Sequence, residues 1–405
     1  MAARSSILTV GMTHTFAFYA SILTTVLAVA GMGYYLAALR AAGLYRRERR
    51  EPVAAFAPGG SILKSLKGLD PGMIDGFRSH CRQTYAGERE LLFGVASMED
   101  PAAAAVEQLI AEFPELAIRL IECPERLGTN GKVSTLVQLA GHARFDFLLI
   151  NDSDISVGPR YLERVMGCFG TDEKPSAQEV GLVTALYRGR AHGTLPSRLE
   201  ALGIVDFQAS VLLSRRLEGG LHYGLGSTLA VRREALEKIG GLRVLVDHLA
   251  DDYELGARVA GAGYRVALSP EVVETNVAAY GWRGYIDHQL RWARTVRDAR
   301  PAGYAGLVFT NGFGLALVNV LVSGASLLSL ALLGISLLLR LALAMMVGVG
   351  VLDDRQVVPN LWMLPLRDLI AVGVWLAGFA GNTIVWRGER FALKKGRLEK
   401  TSLKN

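Results

Sequence analysis

Long uncharged stretches separate membrane-like parts of the chain from polar parts. Thr15–Leu39 carries no charged residue over 25 positions, which is enough to cross a bilayer as a helix. A cleaved signal peptide fits less well, because the run is too long and a basic start is nearly absent. By the positive-inside rule, the arginines that follow place the next segment in the cytoplasm; they are Arg40, Arg46, Arg47, Arg49 and Arg50. The pattern predicts a transmembrane anchor over residues 1–40.

A second apolar region begins near Ala302. Ala302–Leu339 is uncharged, and the run continues to Leu352 after the single Arg340. One helix of that length would be on the order of 75 Å long at 1.5 Å per residue, far more than a bilayer core requires. We therefore expect two spans, joined near Ser323-Gly324.

The end of the chain presents a conflict. Leu369–Trp386 adds 18 uncharged residues, a short candidate span or re-entrant helix that completes a C-terminal membrane region over 302–386. Three crossings there would put the basic tail, residues 387–405, outside the cell. The arginines and lysines of that tail favour the cytoplasm instead. The sequence leaves open whether one of these segments does not cross.

Between the apolar regions, residues 52–300 alternate short apolar runs with helical patterns. The predicted strands are Ser61–Lys64, Leu91–Ala96, Ala117–Ile121 and Phe145–Ile150, alternating with helices near Met73–Thr84, Ala102–Phe113 and Lys132–Ala140. This order predicts an α/β domain with a mostly parallel sheet covered on both faces. Further strands over Gly181–Tyr187 and Ser227–Arg232 indicate a mixed half of the sheet. Residues 282–300 are basic and amphipathic, which predicts an interfacial helix that closes this cytoplasmic domain.

Composition narrows the class of partner. Hydrophobic residues make up 51% of the chain, which agrees with a membrane protein. The net charge of +6 comes largely from residues beside the membrane segments, so it favours anionic lipid headgroups. No nucleic-acid-binding motif is present, and we expect no nucleic acid partner. The three scattered cysteines, Cys81, Cys123 and Cys168, form neither a disulfide framework nor a metal-binding spacing.

Asp152-Ser153-Asp154 follows the predicted strand Phe145–Ile150 directly. In an open α/β sheet, ligands bind beyond the carboxyl ends of the strands. Two carboxylates at that place suit Mg²⁺ or Mn²⁺, usually shared with substrate phosphates. Asp and Ser also form ordinary turns, so the motif has weight only together with other signals.

Two further patterns predict residues that could bind or react with a substrate. Lys132 opens a predicted helix after a glycine-containing turn, where a cation and free backbone N–H groups can meet a nucleotide; a solvated helix start is the alternative. Asp251-Asp252 precedes the predicted helix Tyr253–Ala262. One of these carboxylates could act as a general base, although Asp is also a favoured N-cap residue.

Taken in order, these motifs resemble a known family. Asp152–Asp154, Ala250–Tyr253 and His288-Gln-Leu-Arg-Trp292 are similar to the motifs of membrane-bound inverting glycosyltransferases of the ceramide glucosyltransferase type, which include a bacterial branch that glycosylates hopanoids. The resemblance runs from about Ser61 to Arg397. It also includes the segments Ser61–Gly68, Gly128–Val133 and Trp386–Gly388. The ordered set is specific, whereas each piece alone is not.

The resemblance implies a Rossmann-like GT-A domain and assigns roles to residues. Mg²⁺ or Mn²⁺ would be held by Asp152 and Asp154. Asp252 would be the catalytic base, with Asp251 orienting a neighbour or merely paired. The residues expected to bind the UDP-sugar are Lys64, Ser97, Asp100, Lys132, Asp152, His288, Arg291 and Trp292.

Two positions depart from the family pattern. The family usually has an Asp after the second strand, where it contacts uracil, and here that position is Ser97; Glu99 or Asp100 could substitute. The last motif usually begins with Gln or Arg, and here it begins with His288. A histidine can donate a hydrogen bond to a phosphate oxygen, so we expect His288 to serve.

The predicted function follows from these features. We expect a multi-pass enzyme of the inner membrane that moves a hexose or N-acetylhexosamine from a UDP-sugar to a membrane lipid hydroxyl, with ceramide-like and hopanoid lipids as leading acceptors. A processive polysaccharide synthase is an alternative, but the membrane part is small for a polymer channel. A non-catalytic membrane scaffold on a transferase fold is the other alternative, and only Ser97 supports it.

Overall fold

The computed structural model describes the backbone of residues 2–170, 178–386 and 389–400, and side chains in these ranges except at 2–14, 16 and 386. The helices are α1 (Ala2–Glu48), α2 (Met73–Cys81), α3 (Pro101–Glu112), α4 (Gly131–His142), α5 (Tyr161–Met166), α6 (Leu195–Leu217), α7 (Arg233–Lys238), α8 (Asp251–Gly261), α9 (Trp282–Ala299), α10 (Pro301–Gly306), α11 (Gly312–Val322), α12 (Leu327–Ala344), α13 (Val357–Asn360) and α14 (Leu364–Gly378). The strands are β1 (Gly60–Ser65), β2 (Arg89–Val95), β3 (Ala117–Glu122), β4 (Phe147–Ile150), β5 (Ile155–Ser156), β6 (Val180–Arg190), β7 (Leu229–Arg232), β8 (Arg265–Asn276), β9 (Thr383–Trp386), β10 (Glu389–Lys394) and β11 (Arg397–Lys400).

An eight-stranded sheet lies at the centre of the polar region, in the order β3-β2-β1-β4-β7-β6-β8-β5. Strand β1 pairs in parallel with β2 and β4, whereas β7 is antiparallel to β4 and β6. Consecutive residues of β1 point to opposite faces of the sheet, so Ile62 and Leu63 enter two separate hydrophobic clusters. The predicted α/β domain with a parallel half and a mixed half is confirmed.

Within the described residues, four apolar helical segments flank this domain: Ala17–Glu48, Pro301–Val322, Leu327–Val349 and Val357–Gly378. Each is long and apolar enough to cross a membrane. Small residues bring the first two together, since a Cβ on Gly31 would lie 2.5 Å from the Gly312 Cα. The predicted break near Ser323-Gly324 is confirmed, because α11 ends at Val322 and Gly324 has a φ of +58°.

The C-terminal region differs from the sequence prediction. The uncharged stretch Leu369–Trp386 is not one element: it is divided between the end of α14 and strand β9. Helix α14 begins earlier, at Leu364, and contains the charged residues Arg367 and Asp368. These charges do not end the helix because both are paired, and Asp368 lies 2.8 Å from Arg340 Nε.

The predicted basic tail forms part of a second sheet. Strands β9, β10 and β11 pair antiparallel, with β10 in the middle. Residues 387, 388 and 401–405 of the predicted tail lie outside the described residues. The sheet contacts the α/β domain directly, since Leu398 N donates to Asp247 O at 2.8 Å and Leu249 N donates to Gly396 O. It therefore lies against the loop that leads into α8.

Candidate active site

The candidate residues meet at one edge of the large sheet. Asp152 and Asp154 follow the carboxyl end of β4. Strand β7 runs antiparallel to β4, and Ile150 pairs with Leu229, so the loop before β7 reaches the same edge. Helix α8, which begins at Asp251, places its first turn there as well.

Lys132 connects two of the predicted acidic residues. Its Nζ lies 2.6 Å from Asp152 Oδ1 and 3.2 Å from Asp251 Oδ2. Burial opposes the charge of Lys132, but Asp152 and Asp251 outweigh that effect and raise its pKa above the ordinary value. Asn130 holds this helix start in place: its side-chain oxygen caps α4 by accepting from Val133 N. Lys132 is therefore a fixed cation rather than a solvated helix start.

Asp252 is a partly buried carboxylate with an altered pKa. Its Oδ2 accepts a hydrogen bond from Gly226 N at 2.8 Å. Burial, followed by the charge of Asp251, raises its pKa to about 6. The N-cap of α8 is Ala250, so neither Asp251 nor Asp252 is the N-cap; both lie in the first turn, where Asp252 Oδ1 accepts from Tyr253 N at 2.8 Å. A carboxylate with this pKa is suited to accept a proton near neutral pH.

Gly226 lies close to the carboxylates of both Asp252 and Asp152. A Cβ at that position would lie 3.0 Å from Asp252 Oδ2 and 3.2 Å from Asp152 Oδ2. Any side chain would therefore push into both groups. Glycine is needed here for close approach rather than for a positive φ.

Asp154 and Lys64 make further contacts at the Asp152–Asp154 motif. Asp154 Oδ2 accepts a short hydrogen bond from Thr275 Oγ1, and burial, followed by the charge of Asp152, raises the pKa of Asp154 to about 6. Lys64 on β1 is fully buried, and its Nζ donates to Asp152 O at 3.2 Å. Burial lowers the pKa of Lys64 to about 7. Lys64 thus supports the backbone of the motif from beneath.

The donor set at Asp152 and Asp154 fits a hard divalent cation. Among the described residues, no three His, Cys, Asp or Glu side chains form a metal-binding group. Two carboxylates still suit Mg²⁺, because this ion is usually bound through one or two protein carboxylates, several waters and substrate phosphates. Mn²⁺ prefers the same oxygen ligands.

The residues after β2 make local contacts. Both carboxylate oxygens of Asp100 accept from Gly68 N, at 2.9 and 3.1 Å, and one also accepts from Ala102 N as the N-cap of α3. Ser97 is partly buried, and its Oγ accepts from Glu99 N at 3.2 Å. Asp100 therefore has a structural role in joining two loops, and its oxygens are already engaged by backbone groups.

The last motif lies on α9, beside the sheet edge. The His288 ring packs against Tyr280, with centroids 5.4 Å apart, and against Trp292, with centroids 5.5 Å apart. Burial raises the pKa of Tyr280 to about 12, with Asp154 among the charges that add to the rise and Arg291 opposing it. Tyr280 thus packs against the α9 motif and is also influenced by the charge of Asp154.

Several site residues were not identified from the sequence. Asn130 is buried and donates to His248 O at 2.8 Å, which ties the start of α4 to the loop before α8. Its position before a helix signals a cap, but not this second contact. Tyr187 and Thr275 come from the long strands β6 and β8, and only the parallel pairing of these strands brings them to the edge. No sequence signal marks them.

Comparison with known proteins gives two kinds of relative. Ceramide glucosyltransferase 3 and ceramide glucosyltransferase 1 of Caenorhabditis elegans are each 24% identical to this chain over 258 residues, 62% of its length. The chain spans about half the length of these relatives, 53% and 52%.

Among solved structures, the mannosyltransferase PcManGT of Pyrobaculum calidifontis, in complex with GDP-Man and Mn²⁺, is 18% identical with a TM-score of 0.48; the match covers 87% of this chain and 99% of that one. GalNAc-T7 with UDP, GalNAc and Mn²⁺ is 12% identical with a TM-score of 0.40, covering 60% and 51%.

A family profile matches more of the sequence than these relatives do. It covers residues 23–399, which include every site residue described above, the three apolar segments after the domain and the second sheet except its last residue, Lys400. The resemblance to ceramide glucosyltransferases is thereby confirmed: this chain belongs to glycosyl transferase family 21.

Proposed function

We propose that this protein is an inverting glycosyltransferase that moves a hexose or N-acetylhexosamine from a UDP-sugar to the hydroxyl of a membrane lipid. The observation that carries the proposal is the partly buried Asp252, whose pKa is raised to about 6 beside Asp152 and Lys132. A base, a cation and carboxylates for a metal are thus collected at one sheet edge. The apolar segments next to the domain supply the reason for a lipid acceptor.

The roles follow from the contacts. Asp252 would take the proton of the acceptor hydroxyl as it attacks the anomeric carbon. Lys132 would hold the leaving pyrophosphate, and its bonds to Asp152 and Asp251 fix it in place beforehand. Asp152 and Asp154 would hold Mg²⁺ or Mn²⁺, which when bound would neutralise developing negative charge on the leaving group. Single displacement by the hydroxyl would invert the anomeric configuration.

Donor, acceptor and location are the finer parts of this proposal. A ceramide-like lipid is the leading acceptor, because the relatives named above are ceramide glucosyltransferases; a hopanoid is the second. We place the protein in the inner membrane with the catalytic domain in the cytoplasm, since basic residues follow the first span.

The experiment is lipid glycosylation by the purified full-length chain. The protein in mixed micelles would be incubated with a panel of UDP-sugars, Mg²⁺ or Mn²⁺, and ceramide, a hopanoid or diacylglycerol. We expect one glycolipid by mass spectrometry, with an anomeric configuration opposite to that of the donor by NMR, and loss of product in excess chelator. Retention of configuration, long sugar polymers, or no transfer to any lipid would refute the proposal.

A further inference from the structure

A buried carboxylate that the motifs do not include pairs with the histidine of the last motif. Glu200, on α6, is 7% exposed. Its Oε2 lies 3.1 Å from His288 Nδ1, on α9. The pair thus joins two helices that are far apart in sequence, and it lies where α9 presents its motif to the sheet edge.

This hydrogen bond fixes which ring nitrogen carries the proton. An ionised carboxylate only accepts hydrogen bonds, so Nδ1 must donate to Glu200. In a neutral imidazole the other nitrogen is then an acceptor. A carboxylate that holds one histidine nitrogen in this way sets the tautomer and the orientation of the ring. Packing against Tyr280 and Trp292 restricts the same ring further.

Ring contacts connect the pair to Tyr187: His288 packs against Trp292, and Phe207 packs against both Trp292 and Tyr187, with centroids 6.1 and 6.2 Å away. Burial raises the pKa of Tyr187 well above its ordinary value, and the carboxylates of Asp252, Asp152 and Glu200 all add to this rise. One tyrosine ring therefore lies within the field of the proposed base and of Glu200. Tyr280, packed on His288, is likewise influenced by both Glu200 and Asp154.

We propose that Glu200 is a positioning residue that presents Nε2 of His288 as a hydrogen-bond acceptor to a substrate hydroxyl. The hydroxyl belongs to the donor sugar or to the lipid acceptor. The inference rests on the proposed function and changes one expectation from the sequence. A phosphate oxygen has no proton to offer to Nε2, so the tautomer that donates from Nδ1 to Glu200 is suited to a hydroxyl rather than to the pyrophosphate.

The test is a double-mutant cycle on lipid glycosylation. Glu200→Gln removes the ionised partner and should lower turnover by about tenfold or more, as loss of a histidine's supporting carboxylate does elsewhere. His288→Gln places an amide that has its own donor and acceptor and does not need Glu200. Adding Glu200→Gln to His288→Gln should therefore cause little further loss. A purely structural role of Glu200 predicts the same loss in both backgrounds.

Glu218→Gln is the matched control. Glu218 is the C-cap of α6 and pairs with Arg300, the C-cap of α9, at 2.8 Å, so it joins the same two helices away from the motif. We expect near-normal turnover in this variant. A loss equal to that of Glu200→Gln would mean that only helix docking matters, and it would overturn the inference.

Calorimetry identifies the source of the hydroxyl. If the hydroxyl is on the sugar, Glu200→Gln weakens binding of the UDP-sugar but not of UDP. If it is on the lipid, both affinities stay normal and the kinetic constants for the lipid change. Weaker binding of UDP itself would assign His288 to the phosphates and overturn the inference. If the wild-type protein forms no lipid product, the proposed function is refuted. The proposal of a hydroxyl substrate then fails as well.

Discussion

Asp252 and Asp251 are adjacent in sequence but have different contacts. Asp251 is bound by Lys132 Nζ at 3.2 Å, whereas Asp252 accepts from backbone N–H groups. Asp252→Asn should lower transfer by about 10²-fold or more, because general base catalysis supplies that much, and it should leave UDP-sugar affinity nearly intact. Asp251→Asn should be milder. Calorimetry with the donor and mass spectrometry of the lipid product measure the two effects; turnover within a few-fold of wild type in Asp252→Asn would show that the base is misassigned.

The same carboxylate predicts a pH dependence. Burial and Asp251 raise the pKa of Asp252 to about 6, and a general base works only when ionised. Turnover should therefore rise with pH through about 6 and level off above 7. The check is kcat between pH 5 and 8 at saturating substrates. The residual activity of Asp252→Asn should lack this rise, and an unchanged profile in that variant would assign the ionisation to another group.

Substitution of Asp100 distinguishes a structural role of this residue from a role in UDP binding. Its carboxylate caps α3 and holds Gly68 N, so Asp100→Ala should cost about 1 kcal/mol of stability, the usual effect of losing an N-cap. UDP affinity should stay unchanged. Thermal unfolding and calorimetry together decide the matter, since normal stability with weaker UDP binding would make Asp100 the replacement for the uracil-binding aspartate.

Three helices meet at a buried ionic cluster. Arg340 on α12, which is 2% exposed, pairs with Asp368 on α14 and with Asp206 on α6, each at 2.8 Å. The cluster thereby joins the catalytic domain to two of the apolar segments. A buried ion pair contributes little net stability when intact, but it is costly to break on one side only.

Arg340→Met should therefore destabilise the protein by about 3–5 kcal/mol, because the carboxylates of Asp206 and Asp368 would be left with Arg367 as their one cation in the cluster. Replacing Arg340 and Asp368 together by Met and Leu should recover part of the loss. Thermal unfolding in detergent measures both. Arg283→Met is the control, since that side chain is 98% exposed and should have no effect; equal stability of Arg340→Met and wild type would contradict the role of the cluster.

Elements and residues with a local signal can be predicted from the sequence, whereas those defined by contacts between helices cannot. The apolar runs of strands such as β2 and β4 predict them, and local motifs mark Asp152, Asp252 and Lys132. Helix α14 was misplaced because Arg367 and Asp368 look like the end of a span when their partners on other helices are unknown. Glu200 was missed for the same reason: its role exists only where α6 packs against α9.

The two ends of the segment Val357–Gly378 both return to the catalytic domain. Before it, Arg188 Nη1 donates to Leu352 O and Asp353 O at 3.2 Å. After it, Arg297 Nη1 donates to Gly378 O, and the second sheet follows against the domain. A segment that crossed the bilayer would have its ends some 30 Å apart on opposite sides.

In contrast to the segment Val357–Gly378, α11 leads away from the catalytic domain and α12 leads back to it. Asn319, near the end of α11, accepts from Thr24 and Thr25 on α1, so this end of α11 lies beside the N-terminal part of α1. The chain returns along α12 to the domain, where Arg49 donates to Val351 O. We therefore predict three crossings, by the segments ending at residues 48, 322 and 349, with Val357–Gly378 lying along the membrane surface. The second sheet is then on the same side as the catalytic domain, which removes the conflict with the positive-inside rule.

Cysteine labelling distinguishes three crossings from four. Leu327→Cys reports on the turn between α11 and α12, where Leu327 is 85% exposed, and Lys400→Cys reports on the second sheet, where Lys400 is 64% exposed. The native cysteines are buried and would be replaced by Ala or Ser. With three crossings, a membrane-impermeant maleimide labels the two sites from opposite sides of sealed vesicles, and only Lys400→Cys is labelled when the catalytic domain faces outward. With four crossings, both sites are labelled from the same side, and the in-plane placement of α14 would be wrong.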